Sequence, residues 1–229
     1  MKLGIMQPYF MPYIGYFQLI KAVEIYVVLD DVNYINRGWL NRNNILVNGV
    51  KNLFTIKLKG ATQNKLINEI EIEDDFLKLV KTIKINYGKA PFYKDVILLV
   101  ERILSYKNKG LSEFVINSLK EIISYLHIDT QILISSKLEK DCSLKCQDRI
   151  LNICSALGAD VFINAIGGQK LYDKAEFASC GVDLKFIQTE LVPYKQLKNE
   201  FIPFLSILDV MMFNSVEEVN VMLDKYDLI

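Results

Sequence analysis

The sequence predicts an α/β fold built on a mostly parallel, Rossmann-like sheet. Three observations carry that reading. The first 31 residues run strand, loop, helix, strand. The same rhythm returns from Thr130 onward. The strand candidates are continuous apolar runs rather than alternating ones, as expected of strands buried on both faces.

Taken in order, Lys2 to Met6 is the first strand, and Gln7 to Met11 is a polar and aromatic loop. Pro12 suits the first turn of a helix, where its missing N–H is no loss. Ile14, Phe17 and Ile20 continue at helical spacing. Ile25 to Leu29 is a second strand, ending in Asp30 and Asp31. Strand, helix and parallel strand form a right-handed βαβ unit, and such sheets bind ligands at the carboxyl ends of their strands.

Asn33 to Asn44 reads as an Asn-rich loop carrying Trp39, Asn41 and Arg42. Ile45–Val47 and Asn52–Leu58 flank Asn48-Gly49, the strongest short signal for a β-hairpin. Ile67 to Ile72 is expected to add one more strand. Residues 74–126 carry three amphipathic helical patterns and read as a helical insertion, with Ser112 the expected N-cap of the third. Strands are then expected at Thr130–Ser135, Val161–Asn164 and Val182–Ile187. Helices are expected at Leu144–Leu157, closed by Gly158, and at Leu171–Cys180. Ser206 caps a helix through Phe213, and a last helix covers Val216 to Tyr226. The pattern calls for a single domain over 1–229, with the hairpin excursion and the helical insertion inside it.

Composition narrows the function. Lys+Arg and Asp+Glu both number 27, so a basic nucleic-acid-binding face is not expected. A secretory leader and a membrane span are absent from the pattern, which reads as a cytoplasmic chain. The four cysteines match no common zinc spacing, and reduced, mostly buried thiols are expected, with neither structural metal nor disulfide. His127 stands alone after a helix, which leaves histidine-based catalysis without support. Asp209, inside an apolar helix, is either paired in the core or aimed at a site.

Several stretches carry a resemblance. Gln7-Pro8-Tyr9-Phe10-Met11-Pro12-Tyr13-Ile14-Gly15-Tyr16-Phe17, the apolar run into Asp30-Asp31, Arg42 in WLNRNN, Tyr87 in NYGKAPFY, Gly168 and Tyr172 in GGQKLY, and LSILDVMMFNS together resemble the WbqC-like family. That resemblance implies a role in bacterial O-antigen and related surface-polysaccharide biosynthesis, with a nucleotide-linked sugar as substrate. The expected reaction is transfer of an acyl or aminoacyl group to the amine of that sugar, from an acyl donor or carrier protein. A degenerate nucleotidyltransferase is a second expectation, because Tyr13-Ile14-Gly15-Tyr16 stands where enzymes of the HIGH-motif type carry His-x-Gly-His. A non-catalytic binder of nucleotide sugars or of a partner enzyme is a third. The sequence names no cofactor.

The candidate site residues follow. Asp30 or Asp31 would serve as general base. Trp39, Asn41 and Arg42 would stack on a ring and pair with a phosphate or carboxylate. Gln7, Tyr9, Tyr13 and Tyr16 would line the loop after the first strand. Gly168 and Gln169, with Tyr172, would offer a backbone turn to an anion. Gln7, Tyr9, Tyr13, Asp30 and Arg42 are expected to converge on one cleft.

Overall fold

The computed structural model describes residues 1–198 and 200–229. In chain order these residues form β1 (Lys2–Met6), α1 (Ile14–Lys21), β2 (Ile25–Val28), β3 (Arg42–Val47), β4 (Val50–Thr55), β5 (Leu58–Lys59) and β6 (Glu71–Ile72). Then come α2 (Leu77–Tyr87), α3 (Tyr93–Leu104), α4 (Leu111–Tyr125), β7 (Gln131–Ile134), α5 (Cys146–Leu157) and β8 (Val161–Ala165). The chain ends with α6 (Lys174–Ser179), β9 (Asp183–Thr189), α7 (Ile207–Phe213), α8 (Val216–Leu223) and β10 (Tyr226–Leu228).

The fold is α/β, as the sequence predicts. The central sheet runs β10-β9-β8-β1-β2-β7. Every neighbouring pair is parallel except β10 with β9. Strand side chains alternate between two apolar layers. Leu3, Ile5, Val27, Phe162 and Leu184 face α5 and α6, packing on Ile153, Cys154 and Phe177. Tyr26, Val28, Ile163 and Ile187 belong to the opposite core, with Phe17 and Leu19 of α1 and Leu223 of α8. Both faces are therefore covered, which is why the strands read as unbroken apolar runs. Gly4 leaves little room for a side chain; a Cβ there would lie 3.1 Å from Tyr26 and 3.3 Å from Val23.

Local readings differ from expectation at several elements. β3 begins at Arg42, so Arg42, Asn43 and Asn44 belong to a strand rather than to the preceding loop. Ladder pairing with Phe54 and Leu53 overrides the low strand preference of Asn. Residues 67–72 form a 3-10 turn and the two-residue β6, not one strand. Gly110, not Ser112, caps α4, and Ser112 is buried in its first turn. The last helix stops at Leu223, because the chain then turns to pair β10 with β9. Helix α1 begins at Ile14, with Tyr13 as N-cap and Pro12 outside it. Of the thiols only Cys154 is buried; Cys142, Cys146 and Cys180 are exposed, against the expectation of mostly buried cysteines. Asp209 is paired in the core, accepting hydrogen bonds from Tyr87 (2.8 Å), Tyr194 (2.7 Å) and Gln196 (2.8 Å). Among the described residues no helix is long and apolar enough to cross a membrane.

The close of α5 does follow the sequence: Gly158 takes φ 68°, and its N–H reaches back to Ser155. Gly158→Ala places a Cβ in open space but in left-handed backbone. It should therefore cost about 1–2 kcal/mol, seen as a lower urea midpoint with an unchanged m-value.

Candidate functional site

The loop after β1 shapes the most distinctive cavity. Pro12 disfavours right-handed helical backbone at Met11, and Met11 adopts φ 43°. Left-handed backbone at a residue other than glycine costs about 1–2 kcal/mol, so something must hold it. Two buried donors converge on the Met11 carbonyl: Asn43 Nδ2 at 2.9 Å and Ser206 Oγ at 2.6 Å. Neighbouring backbone bonds tie the same loop down. Phe10 N donates to Leu40 O (3.1 Å), Ile207 N to Pro12 O (2.7 Å) and Ser206 N to Asn44 O (2.8 Å). Loop, hairpin and α7 are thus one hydrogen-bonded unit.

On that unit sits a cavity of about 240 Å³, walled by the rings of Tyr9, Tyr13, Trp39 and Phe204. Pro12, Asn43, Asn44 and Lys51 complete it. Trp39 is 44% exposed and Phe204 53%, an unusual presentation of large rings to solvent. The Arg42 guanidinium lies 5.7 Å from the Trp39 ring centroid, and its Nε donates to Gly38 O at 2.8 Å. Among the described residues neither Arg42 nor Lys51 has a carboxylate partner. Burial raises the pKa of both Tyr9 and Tyr13, so at neutral pH each phenol stays protonated and can donate. The lining holds no carboxylate, imidazole or thiol.

Asp30 and Asp31 lie apart from the rings. Asp30 is 3% exposed and accepts three hydrogen bonds: from Ser136 N (2.9 Å), Ser136 Oγ (2.8 Å) and Ser112 Oγ (3.2 Å). It lines a separate cavity with Ser112 and Ser136. Of the five residues expected to converge on one cleft, Tyr9 and Tyr13 line this cavity, Gln7 and Arg42 are not in its lining, and Asp30 lines a separate one. Asp31 pairs with Lys140, whose side chain is 1% exposed, at 2.8 Å, and lies 3.8 Å from Arg149. Arg149 also donates to the Asp31 carbonyl at 2.7 Å. Burial pushes the Asp31 pKa up, but Lys140, Ser135 and Arg149 together outweigh it, and the net shift is downward.

The remaining candidates divide between packing and strand ends. Tyr16 is buried and donates to Gln7 O at 2.8 Å, fixing the start of the loop. Asn41 is buried in the hairpin, donating to Ile56 O at 2.7 Å and accepting from Tyr34 at 3.3 Å. Gln7 follows β1, and Gly168 and Gln169 lie in the 3-10 turn Ile166–Lys170 after β8. The parallel strands reverse order between β1 and β8, which is where open sheets form their crevice. Tyr172 packs edge-on against Phe162 (5.7 Å) and Phe177 (5.8 Å). Sequence reasoning missed Asn43, Asn44, Lys51 and Phe204. The Asn pair, adjoining an apolar strand, was a usable signal; nothing local marks Lys51 or Phe204.

A family model described as "WbqC-like protein family" matches residues 7–221. A protein of Mycobacterium tuberculosis (strain ATCC 25618 / H37Rv), "Uncharacterized protein Rv1507c", is 26% identical over 215 residues, covering 92% of each chain. No solved structure matches.

Two outcomes follow from this geometry. At Gly15 an added Cβ would lie 2.4 Å from both Thr189 Oγ1 and the Tyr13 ring. Gly15→Ala should displace Tyr13 and destabilise the protein by about 1–3 kcal/mol as an overpacked site, read by thermal melting. Asp31, with its folded pKa below its unfolded one, contributes stability that is present above the unfolded value of about 3.9 and is lost as pH falls through the lower folded value. Asp31→Asn should therefore lower stability at pH 7 and flatten the acid limb of a stability-versus-pH curve; an unchanged limb below pH 4 removes Asp31 from that role.

Proposed function

The chain belongs to the WbqC-like protein family, and from that premise we propose that it is a cytoplasmic enzyme of bacterial surface-glycan biosynthesis acting on a nucleotide-linked amino sugar. One observation supports the ligand class above others: solvent-facing rings with two cations that have no carboxylate partner among the described residues. Flat apolar walls suit a base or the face of a sugar. Arg42 and Lys51 suit the diphosphate that joins them, Arg42 through paired N–H donors and Lys51 as a point charge. The cavity is sized for one ring system, so the rest of such a ligand would lie along the rim toward Arg42 and Gln7. Transfer of an acyl or aminoacyl group to the sugar amine is the reaction this reading carries, with the donor or carrier protein as second partner.

A second reading, a binder without catalysis, is favoured by the absence of any carboxylate, imidazole or thiol in the lining. Asp31 is engaged by Lys140 and Arg149, and Asp30, the remaining candidate base, lines a cavity that shares no residue with the ring-lined one. The HIGH-type alternative is weaker, because Tyr13 and Tyr16 stand where cationic histidines would be needed, and Tyr16 is spent on Gln7.

Calorimetry with nucleoside-diphosphate amino sugars tests the reading. Arg42→Ala should weaken binding by about ten- to hundredfold, the worth of one charge-assisted contact. Trp39→Ala should weaken it further, and both variants should melt close to wild type. Unchanged affinity in both variants overturns the site. Asp30→Asn separates enzyme from binder: turnover reduced by about 10²–10⁴ with binding retained marks a general base, and turnover within threefold of wild type removes that role.

A further inference from the structure

We propose that the cavity beside Asp30 is a separate small-molecule site, and that its ligand is a zwitterion carrying both an ammonium and a carboxylate group, such as a free amino acid. The inference concerns a different cavity from the aromatic one, and in it Asp30 is a binding residue and not a general base.

The cavity measures about 360 Å³, inside the roughly 300–1,000 Å³ range of small-molecule sites. It opens beyond the carboxyl ends of β2 and β7, bordered by Ile134 at the end of β7 and by the first turns of α4. Strand ends of a parallel sheet are where such folds place ligands. The lining is mixed, with polar and charged side chains facing Tyr106, Ile116 and Ile134.

Charge decides the class of ligand. Asp30 and Glu113 supply two negative charges, and Lys120 and Lys137 supply two positive ones. A lining whose charges cancel does not select a phosphate or a polycation, but it can hold a ligand that carries one charge of each sign. Within the described residues none of Glu113, Lys120 and Lys137 is committed to an ion pair. Asp30 is the fixed point. Its oxygens offer about four acceptor positions, and the serines fill three. The remaining position suits one N–H of an ammonium. Lys120, exposed on α4, and Lys137 can reach a carboxylate on the open side. Asn117, half-buried and also on α4, adds an amide between them.

Titration calorimetry of the full chain against glycine, alanine, serine, glutamate and lysine, each beside its N-acetyl and methyl-ester derivative, tests this. The expected result is saturable binding of at least one free amino acid, lost in both of its blocked derivatives. The double variant Lys120→Ala/Lys137→Ala alters only exposed side chains and should weaken that binding by at least about tenfold. Trp39→Ala should leave it unchanged. The proposal is overturned if no free amino acid binds saturably up to tens of millimolar. It is equally overturned if a blocked derivative binds as well as its parent, if the double variant binds like wild type, or if Trp39→Ala abolishes the binding.

Discussion

The Met11 carbonyl is the joint on which the candidate site depends. It accepts from Asn43 on the hairpin and from Ser206 at the cap of α7, although these residues lie far from it in sequence. Each donor serves twice. Asn43 Oδ1 also accepts from Asn44 N at 2.8 Å, and Ser206 Oγ also accepts from Leu208 N at 3.3 Å. A buried acceptor without its donors costs about 1–3 kcal/mol, comparable with the cost of the left-handed backbone at Met11 itself. The two hydrogen bonds therefore decide whether this loop has one conformation or several. Tyr9 and Tyr13 flank Met11 on either side, so the position of both rings follows from the backbone held there.

A second set of constraints governs the ends of β2 and β7. Two adjacent carboxylates there would repel each other if left alone. The chain separates their environments instead. Asp30 is satisfied by neutral donors, two from Ser136 and one from Ser112. Asp31 faces cations, Lys140 at 2.8 Å and Arg149 at 3.8 Å, carried on the segment that leads into and through α5, and among the described residues its Oδ1 accepts no hydrogen bond. Arg149 also gathers the carbonyls of Leu144 (3.0 Å) and Cys142 (3.1 Å), so one side chain fastens that segment over the strand ends. Removing one partner of such a pair is expected to be costly because the other stays buried and charged. Serine hydroxyls carry no charge and leave Asp30 free to meet one from outside.

The fold was legible in the sequence wherever burial on both faces imposed a long apolar run. β1, β2, β7, β8 and β9 fall within a residue or two of their expected places for that reason, and Gly158 and Ser206 announce helix ends through their own chemistry. What could not be read is what distant partners decide. Arg42, Asn43 and Asn44 look like loop residues because Asn disfavours strands; they become a strand because β4 completes their ladder. Ser112 looks like a cap because serine commonly is one, and it is drawn inward by Asp30, 82 positions away. β10 is only three residues long, and its pairing with β9 makes it a strand. The site shows the same division. Tyr9 and Tyr13 were visible as rings beside a strand end and Trp39 as a ring in a polar loop, whereas Phe204 arrives from the far end of the chain.

The hairpin explains why the ring-lined cavity lies beside the sheet and not at its bare strand ends. In an open parallel sheet the loops after the strands usually supply the whole binding surface. Here Tyr9, Pro12 and Tyr13 come from the loop after β1 and Phe204 from the stretch between β9 and α7, whereas Trp39, Asn43, Asn44 and Lys51 come from the excursion between β2 and the helical layer. Its inner strand, β3, is buried from Asn43 to Leu46, while β4 is largely exposed. Ile45 and Leu46 anchor the hairpin in the core, and Leu46 N is held by Tyr87 at 2.8 Å. Tyr87 in turn donates to Asp209 at 2.8 Å. The carboxylate that the sequence leaves either paired in the core or aimed at a site is thus the far end of a chain of hydrogen bonds that fixes β3. Through β3 it fixes Asn43 and the Met11 carbonyl. Burial raises the pKa of Asp209, although Tyr194, Tyr87 and Gln196 all pull it down; a group so placed acts on the ring-lined cavity only by holding its frame.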